Sequence, residues 1–155
     1  MSKANTLKSK IKIRKMEVED LPRVIWILEA ITKTKVSTKK KALLEKHIQK
    51  EGSISLVAMV ESEVLGYLIS EIMTNSFGMD QGGWIQNLGV HPKYMDQGIG
   101  QTLAMHLFEL YKKKKIFDIY TAARWDSVDL LSFFKSVGFD RSSFINLHKK
   151  LGPKE

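Results

Sequence analysis

The segment Leu88–Gln101, L-G-V-H-P-K-Y-M-D-Q-G-I-G-Q, constrains this 155-residue chain more than any other. An apolar strand-like run, Trp84–Val90, is closed by His91–Pro92, because proline disfavours helix for the residue before it. A short loop follows. The chain then enters a helix expected over Gly98–Lys115, with Ile99, Leu103, Leu107 and Leu110 as its buried stripe and four lysines at its C-terminal end, suited to the negative pole of the dipole. Gly98 and Gly100 open that helix, where glycine lets a ligand approach the backbone. Free N–H groups at a helix start, with about half a positive charge from the dipole, form an anion site without any lysine.

The rest of the chain reads as one mixed α/β domain. Ile11–Met16 alternates apolar and charged residues, the period of a half-buried strand. Glu19 and Asp20 stand at a helix start, followed by Leu21, Val24, Leu28 and Ile31 at helical spacing. Ser37 or Thr38 caps a second helix with Ala42, Leu43, His47 and Ile48 on one side. Ile54–Val60 and Val64–Ile72 form a hairpin, and Thr74–Gly83, rich in Asn, Ser, Gly and Asp, reads as a loop. Phe117–Ala122 is a fifth strand, and Asp126–Val137 is a helix closed by Gly138. Phe139–Arg141 and Phe144–Leu151 are expected as last short strands. The order is β-α-α-β-β-β-α-β-α-β-β, a mostly antiparallel mixed sheet with helices on both faces.

Composition narrows the function classes. There is no cysteine, which excludes disulfides, thiolate metal sites and a Cys nucleophile. Histidines 47, 91, 106 and 148 lack metal-ligand spacing, so no metal is expected. No apolar run approaches 18 residues, and Met1–Lys15 lacks the apolar core of a signal peptide, so a cytoplasmic protein with no membrane contact is expected. The net charge of +8 is uneven. Residues 1–50 hold 14 Lys and Arg against 5 Asp and Glu, whereas residues 51–155 hold 11 against 12. Residues 1–10 read as a flexible basic arm ahead of a domain over 11–151. The lysine-rich third would attract an acidic partner, RNA or an anionic cofactor, or is simply a solvated surface. No aromatics interleave with its lysines, which argues against nucleic acid.

The run V-H-P-K-Y-M-D-Q-G-I-G, Val90–Gly100, resembles the signature of the GNAT superfamily of N-acetyltransferases, Q/R-x-x-G-x-G/A, often inside V-x-P-x-Y-R-G-K-G-I-G. The Pro, the Tyr and the final G-x-G match. Met95 stands for the leading Q/R and Asp96 for the next Gly. A second landmark, L-Y-x-x-x-G-F, is matched by F-F-K-S-V-G-F, Phe133–Phe139.

The resemblance implies acetyl-CoA as co-substrate and direct transfer of acetyl to the amine of a small molecule or peptide. Backbone N–H groups of Asp96, Gln97, Gly98, Ile99, Gly100 and Gln101 would hold the pyrophosphate, with Met95 keeping its main-chain donor. Leu88, Gly89 and Val90 would pair with the pantetheine arm as an added strand. Phe134 occupies the place of the family's usual acid, a Tyr, and Ala122 that of a Glu used as base in one branch. Trp84, Gln86 and Asn87 fill the fourth-strand positions where other branches place a Glu.

Three readings follow. A base acts through ordered water, with Glu71 or Asp126 as candidates. Alternatively the acceptor is an α-amine, which costs about 1 kcal/mol to deprotonate at pH 7 against about 4.6 for a lysine amine. Otherwise the domain binds acyl-CoA without catalysis. Plainer roles compete: Glu71 as a solvated strand end, Asp126 as a helix cap, Trp84 and Trp125 as packing residues. Arg124 and Trp125, with Trp84 and Gln86, are the candidates for the acceptor pocket. A pocket built from short loops admits a neighbouring copy, so a homodimer is allowed.

Overall fold

The computed structural model describes residues 7–76 and 78–153. The chain runs β1 (Ile11–Lys15), a 3-10 turn (Val18–Asp20), α1 (Leu21–Thr32), α2 (Thr38–Gln49), β2 (Ser53–Val60), β3 (Glu63–Ser76) and β4 (Met79–Val90). A second 3-10 turn (Pro92–Tyr94), α3 (Ile99–Lys113), β5 (Ile119–Thr121) and α4 (Val128–Ser136) complete it.

The five strands lie in sequence order, β1 to β4 antiparallel and β5 parallel to β4. Alternation along β2 and β3 sends residues to opposite faces, as strand geometry requires. Leu56, Ala58, Leu65 and Leu68 join the α3 residues Ile99, Leu103, Leu107 and Tyr111 and the α4 residue Phe134 in one cluster. Val57, Tyr67 and Ile69 join Met16, Val24, Ile27 and Ile48 in the other, beneath α1 and α2. The expected mixed α/β fold with helices on both faces is therefore present.

The ends of elements follow local chemistry. The Ser37 side chain caps α2 by accepting from Lys40 N at 3.1 Å. Ahead of α1, Asp20 is buried, accepts two hydrogen bonds from the Arg14 guanidinium at 2.7 and 2.8 Å, and accepts a third from Glu17 N at 2.8 Å. That network ties β1 to the start of α1.

Several expectations need correction. Residues 74–83 are not a loop. β3 and β4 continue as a long hairpin with Ile72 opposite Gly83 and Ser76 opposite Met79. The left-handed residues that suggested a loop, Asn75 (φ 54°) and Gly78 (φ 73°), are confined to its tip, and Phe77 lies outside the described residues. Gly83 is a strand residue whose missing side chain makes room for the Tyr111 ring, 2.8 Å from where a Cβ would stand.

The two last strands, 139–141 and 144–151, do not form. Residues 140–153 are exposed throughout and carry no regular secondary structure, and the sheet ends at β5. Phe139 instead completes the cap of α4: Gly138 N donates to Lys135 O and Phe139 N to Phe134 O, the paired bonds of a Schellman motif with Gly138 at φ 100°. Leu43 and Ile31 are exposed, and Leu44 and Ile27 take the inward positions. Of the arm expected over residues 1–10, residues 1–6 lie outside the described residues. Leu7 packs against the core.

Candidate active site

β4 and β5 part company at the site. Parallel pairing of β4 with β5 lasts three rungs, Gly83–Ile119, Trp84–Tyr120 and Ile85–Thr121, and the Thr121 hydroxyl donates to Ile85 O at 3.0 Å on the last. Past that rung β4 continues to Val90 with no β5 partner. A bulge at Gln86 coincides with the parting: Ile85 faces Ser70 and Asn87 faces Ile69, leaving Gln86 as the extra residue. The main chain of Leu88–Val90 is thus an open edge on the β5 side, able to pair with an extended ligand.

The open edge leads to a corner built from stacked rings. His91 is 7% exposed, and its ring lies 4.1 Å from that of Trp26, which carries the Arg23 guanidinium on a 3.8 Å contact. His91 Nδ1 accepts from Lys93 N at 3.2 Å, so this nitrogen is unprotonated. Burial, then the charges of Lys93 and Arg23, push the imidazole pKa down, which keeps it neutral.

Beyond the corner, Met95 is extended and Asp96 and Gly98 are both left-handed, at φ 61° and 87°. Backbone of this kind turns successive N–H groups toward one concave side. Asp96 is legible here: a short polar side chain is among the few besides glycine that enter this conformation. Its carboxylate is exposed. Gly98 is the N-cap of α3 and offers no side chain to cap it. The first bond within the helix is Thr102 N to Gly98 O at 3.0 Å, so the N–H groups of Ile99, Gly100 and Gln101 have no acceptor inside the helix.

Gly100 has a different reason. A Cβ there would lie 3.0 Å from Phe133 Cε2, so the glycine admits α4 against α3. Phe134 is 6% exposed and packs on Phe133 and Phe139 at ring distances of 5.4 and 5.1 Å. It sits in the core behind the turn and not along the open edge.

The remaining candidates divide between the two strands. Trp84 and Gln86 lie on β4 on either side of the last rung, and Glu71 pairs opposite Trp84 across β3 and β4. The Glu71 carboxylate is half-buried beside Lys50 Nζ at 3.3 Å. Arg124 and Trp125 follow β5 closely, and Trp125 is 90% exposed, so it is not a packing residue here. Asp126 does not cap α4, whose N-cap is Ser127. It forms a two-pronged pair with Arg124 at 2.9 Å, and the hydrogen bonds and charge of Arg124 hold its carboxyl below the usual range. Among the described residues, no group of three His, Asp or Glu gathers as metal ligands, and no helix is long and apolar enough to cross a membrane.

Sequence reasoning missed three residues. Tyr67 is buried under Gly89, and its OH donates to Asn87 Oδ1 at 3.0 Å. Burial raises its pKa well above the ordinary phenol value. Tyr111 reaches Ser70 Oγ (3.0 Å) and Glu71 O (3.2 Å) through the sheet. Lys8 lies over the turn: its Cδ and Cγ stand 3.5 and 3.6 Å from where a Gly98 Cβ would be, and its Nζ donates to Gln101 Oε1 at 3.4 Å. None of the three leaves a local signal in the sequence, because each contact is made with a residue far along the chain.

Solved structures share this architecture. An aminoglycoside acetyltransferase from an uncultured soil metagenomic sample, in complex with sisomicin, is 22% identical with a TM-score of 0.79, covering 94% of this chain and 99% of that one. AAC(6')-Iy in complex with a bisubstrate analogue, CoA-S-monomethyl-acetylneamine, is 15% identical with a TM-score of 0.77, covering 90% and 97%. Ribosomal-protein-alanine N-acetyltransferase from Brucella melitensis biovar Abortus 2308 is 14% identical with a TM-score of 0.75, covering 92% and 99%. At these identities the likeness is one of fold. Residues 21–139 match the family model described as acetyltransferase (GNAT) family, a span that includes the open strand edge, the left-handed turn and the α4 cap, and the chain therefore belongs to the GNAT acetyltransferase family.

Proposed function

We propose that this protein is an acetyl-CoA-dependent N-acetyltransferase that moves acetyl directly onto an amine. One observation carries the reading: the unpaired β4 edge runs straight into a left-handed turn and an uncapped helix start. An extended pantetheine arm would pair with the main chain of Leu88, Gly89 and Val90. Its diphosphate would meet the main-chain N–H groups of Asp96–Gln101, with the dipole of α3 behind them. Met95 contributes backbone only. Phe134 supports the turn from the core, and the Lys8 ammonium adds a positive charge beside it.

Acetyl-CoA supplies the activated thioester. The amine lone pair attacks the carbonyl carbon, the C–S bond breaks, and the departing thiolate takes up a proton to leave as a thiol. The amine proton passes through ordered water to Glu71, which stands opposite Trp84 near the parting of the strands. Asp126 is the weaker base, because its lone pairs already serve Arg124. Trp84, Gln86, Arg124 and Trp125 border the acceptor space. The acceptor is a small-molecule or peptide amine, and an α-amine suits a site with Phe134 and Ala122 where titrating groups would assist. The names of the structural neighbours, aminoglycoside and ribosomal-protein-alanine acetyltransferases, support an amine of either kind.

Saturating acetyl-CoA at about 100 Kd should stabilise the fold by about 2.7 kcal/mol, read as a rise in Tm. No rise sinks the cofactor assignment. Phe134 and Ala122 favour a second reading, an acyl-CoA-binding domain without turnover. Free-thiol release across a panel of amines, polyamines and peptides separates the two, and turnover of any one defeats the second.

A further inference from the structure

The parting of β4 and β5 is bordered on its α1–α2 side by an excess of positive charge. The segment from Lys33 to Glu51, which closes α1 and carries α2, holds seven lysines against Glu45 and Glu51, all of them exposed. Two neighbouring carboxylates answer it: Glu29 pairs with Lys35 at 3.5 Å and Glu71 with Lys50 at 3.3 Å. Seven positive charges against these four negative ones leave a surplus of three.

Both ends of the segment are fixed against β3 and β4. Ile31 Cδ1, just before Lys33, stands 2.9 Å from where a Gly89 Cβ would be. At the other end Lys50 reaches Glu71, the partner of Trp84 across the sheet. Between these points on β4, Gln86 and Asn87 are neutral, and Asn87 Oδ1 is taken by the Tyr67 OH. Beyond the end of β5, Asp126 is held by both prongs of Arg124. Asp80, the next carboxylate on β4, lies beyond Trp84 toward the hairpin tip. A polyamine would therefore meet lysines first, and both Glu71 and Asp126 already hold cations.

We propose that the acceptor is the α-amine of a peptide whose first residues carry carboxylates, which the α2 lysines attract while the amine lies at the parting. The proposal rests on the acetyl-transfer reading and names the substrate class for it. Length favours a peptide over a small acid. The helix α2 spans about 18 Å, the reach of about five or six extended residues. Chemistry favours it as well: a peptide α-amine has a pKa near about 7.8 against about 10.4 for lysine, so it asks least of a site with Phe134 and Ala122 in the titrating places. Lysines spread along a helix steer such a ligand toward the site, an effect that salt weakens.

Free-thiol release should be measured with hexapeptides whose first residues are acidic, neutral or lysine-rich. At low salt the acidic peptide should show kcat/KM about tenfold above the neutral one, with the lysine-rich one below both, and about 0.5 M salt should bring the three within about twofold. Equal values or the reverse order overturn the proposal, as does a preference for free glutamate over the acidic peptide. The variant Lys39→Glu/Lys40→Glu turns the surplus of three into a deficit of one, at a helix start that favours carboxylates. Its kcat/KM should fall about tenfold for the acidic peptide and rise for the lysine-rich one. A change confined to KM for acetyl-CoA assigns the lysines to the cofactor and overturns the proposal. Fluorescence anisotropy of C-terminally labelled peptides, with coenzyme A present, reads binding without turnover. Binding of the acidic peptide with no turnover of any amine refutes acetyl transfer and still supports an acidic ligand. No binding, or tighter binding of the lysine-rich peptide or of a single-stranded RNA of equal charge, overturns the proposal.

Discussion

Gly89 should be intolerant of even one added methyl group, for a reason that can be isolated. A Cβ at Gly89 would stand 2.6 Å from Tyr67 Cε1 and 2.9 Å from Ile31 Cδ1. The Tyr67 ring is 1% exposed, and its OH is bound to Asn87, so it cannot retreat without losing that bond. Overpacking costs about 1–3 kcal/mol, and a lost hydrogen bond adds about 1. Gly89→Ala should therefore cost about 2–4 kcal/mol, a fall in Tm of roughly 4–16 °C for a chain of this size. Tyr67→Leu alone opens a cavity and costs about 2–4 kcal/mol. In the double variant the ring atoms that collide are gone, so its cost should fall short of the sum by about 1–2 kcal/mol. Urea unfolding of the four proteins measures this coupling. Additivity within about 0.5 kcal/mol would show that the ring is not what excludes a side chain at position 89.

Three further outcomes are expected. Lys8→Met should raise KM for acetyl-CoA about three- to tenfold at low salt with kcat unchanged, and added salt should narrow the gap; an unchanged KM at low salt counts against a phosphate contact. Glu71→Gln should lower kcat by about a hundredfold or more while Asp126→Asn stays within about threefold, and steady-state rates that reverse this order reassign the base. Asp20 is held below its ordinary pKa first by the Arg14 hydrogen bonds, against burial, and then by Glu17 N. Because the folded value is the lower one, this stabilisation is complete above the unfolded pKa of about 3.9 and is lost as pH falls through the folded value. Asp20→Asn should cost about 2 kcal/mol at pH 7 and flatten the acid limb of a Tm-against-pH curve.

The turn and its flanking elements were legible in the sequence because local rules govern them. Gly98 sits where φ must be positive, Ser37 caps α2, and Gly138 ends α4, each for a reason contained within a few residues. The failures came from distant partners. Alternation in Phe144–Leu151 announces a strand, but a strand needs a ladder, and among the described residues the sheet ends at β5. Gly83 looks like a loop residue until Tyr111, from another element, is seen to need the space. At Gly100 the missing side chain also admits Phe133 from another element, a contact that spacing in the sequence does not encode. Lys8 reaches the turn from 93 residues away in sequence, and no periodicity encodes such a contact. Tyr67 and Tyr111 are single polar handles on buried rings, indistinguishable in sequence from ordinary core aromatics.

The contact between Gly100 and Phe133 bears on how relatives of this chain can diverge. The two positions share one small volume, so a methyl gained at 100 requires ring volume to be given up at 133. Changes at the pair should appear together or not at all, even though one lies beside the left-handed turn and the other on a separate helix, α4. A fall in cofactor affinity after a substitution at Phe133 would then report the shape of the turn, transmitted through a shared void, and not a lost contact with the cofactor.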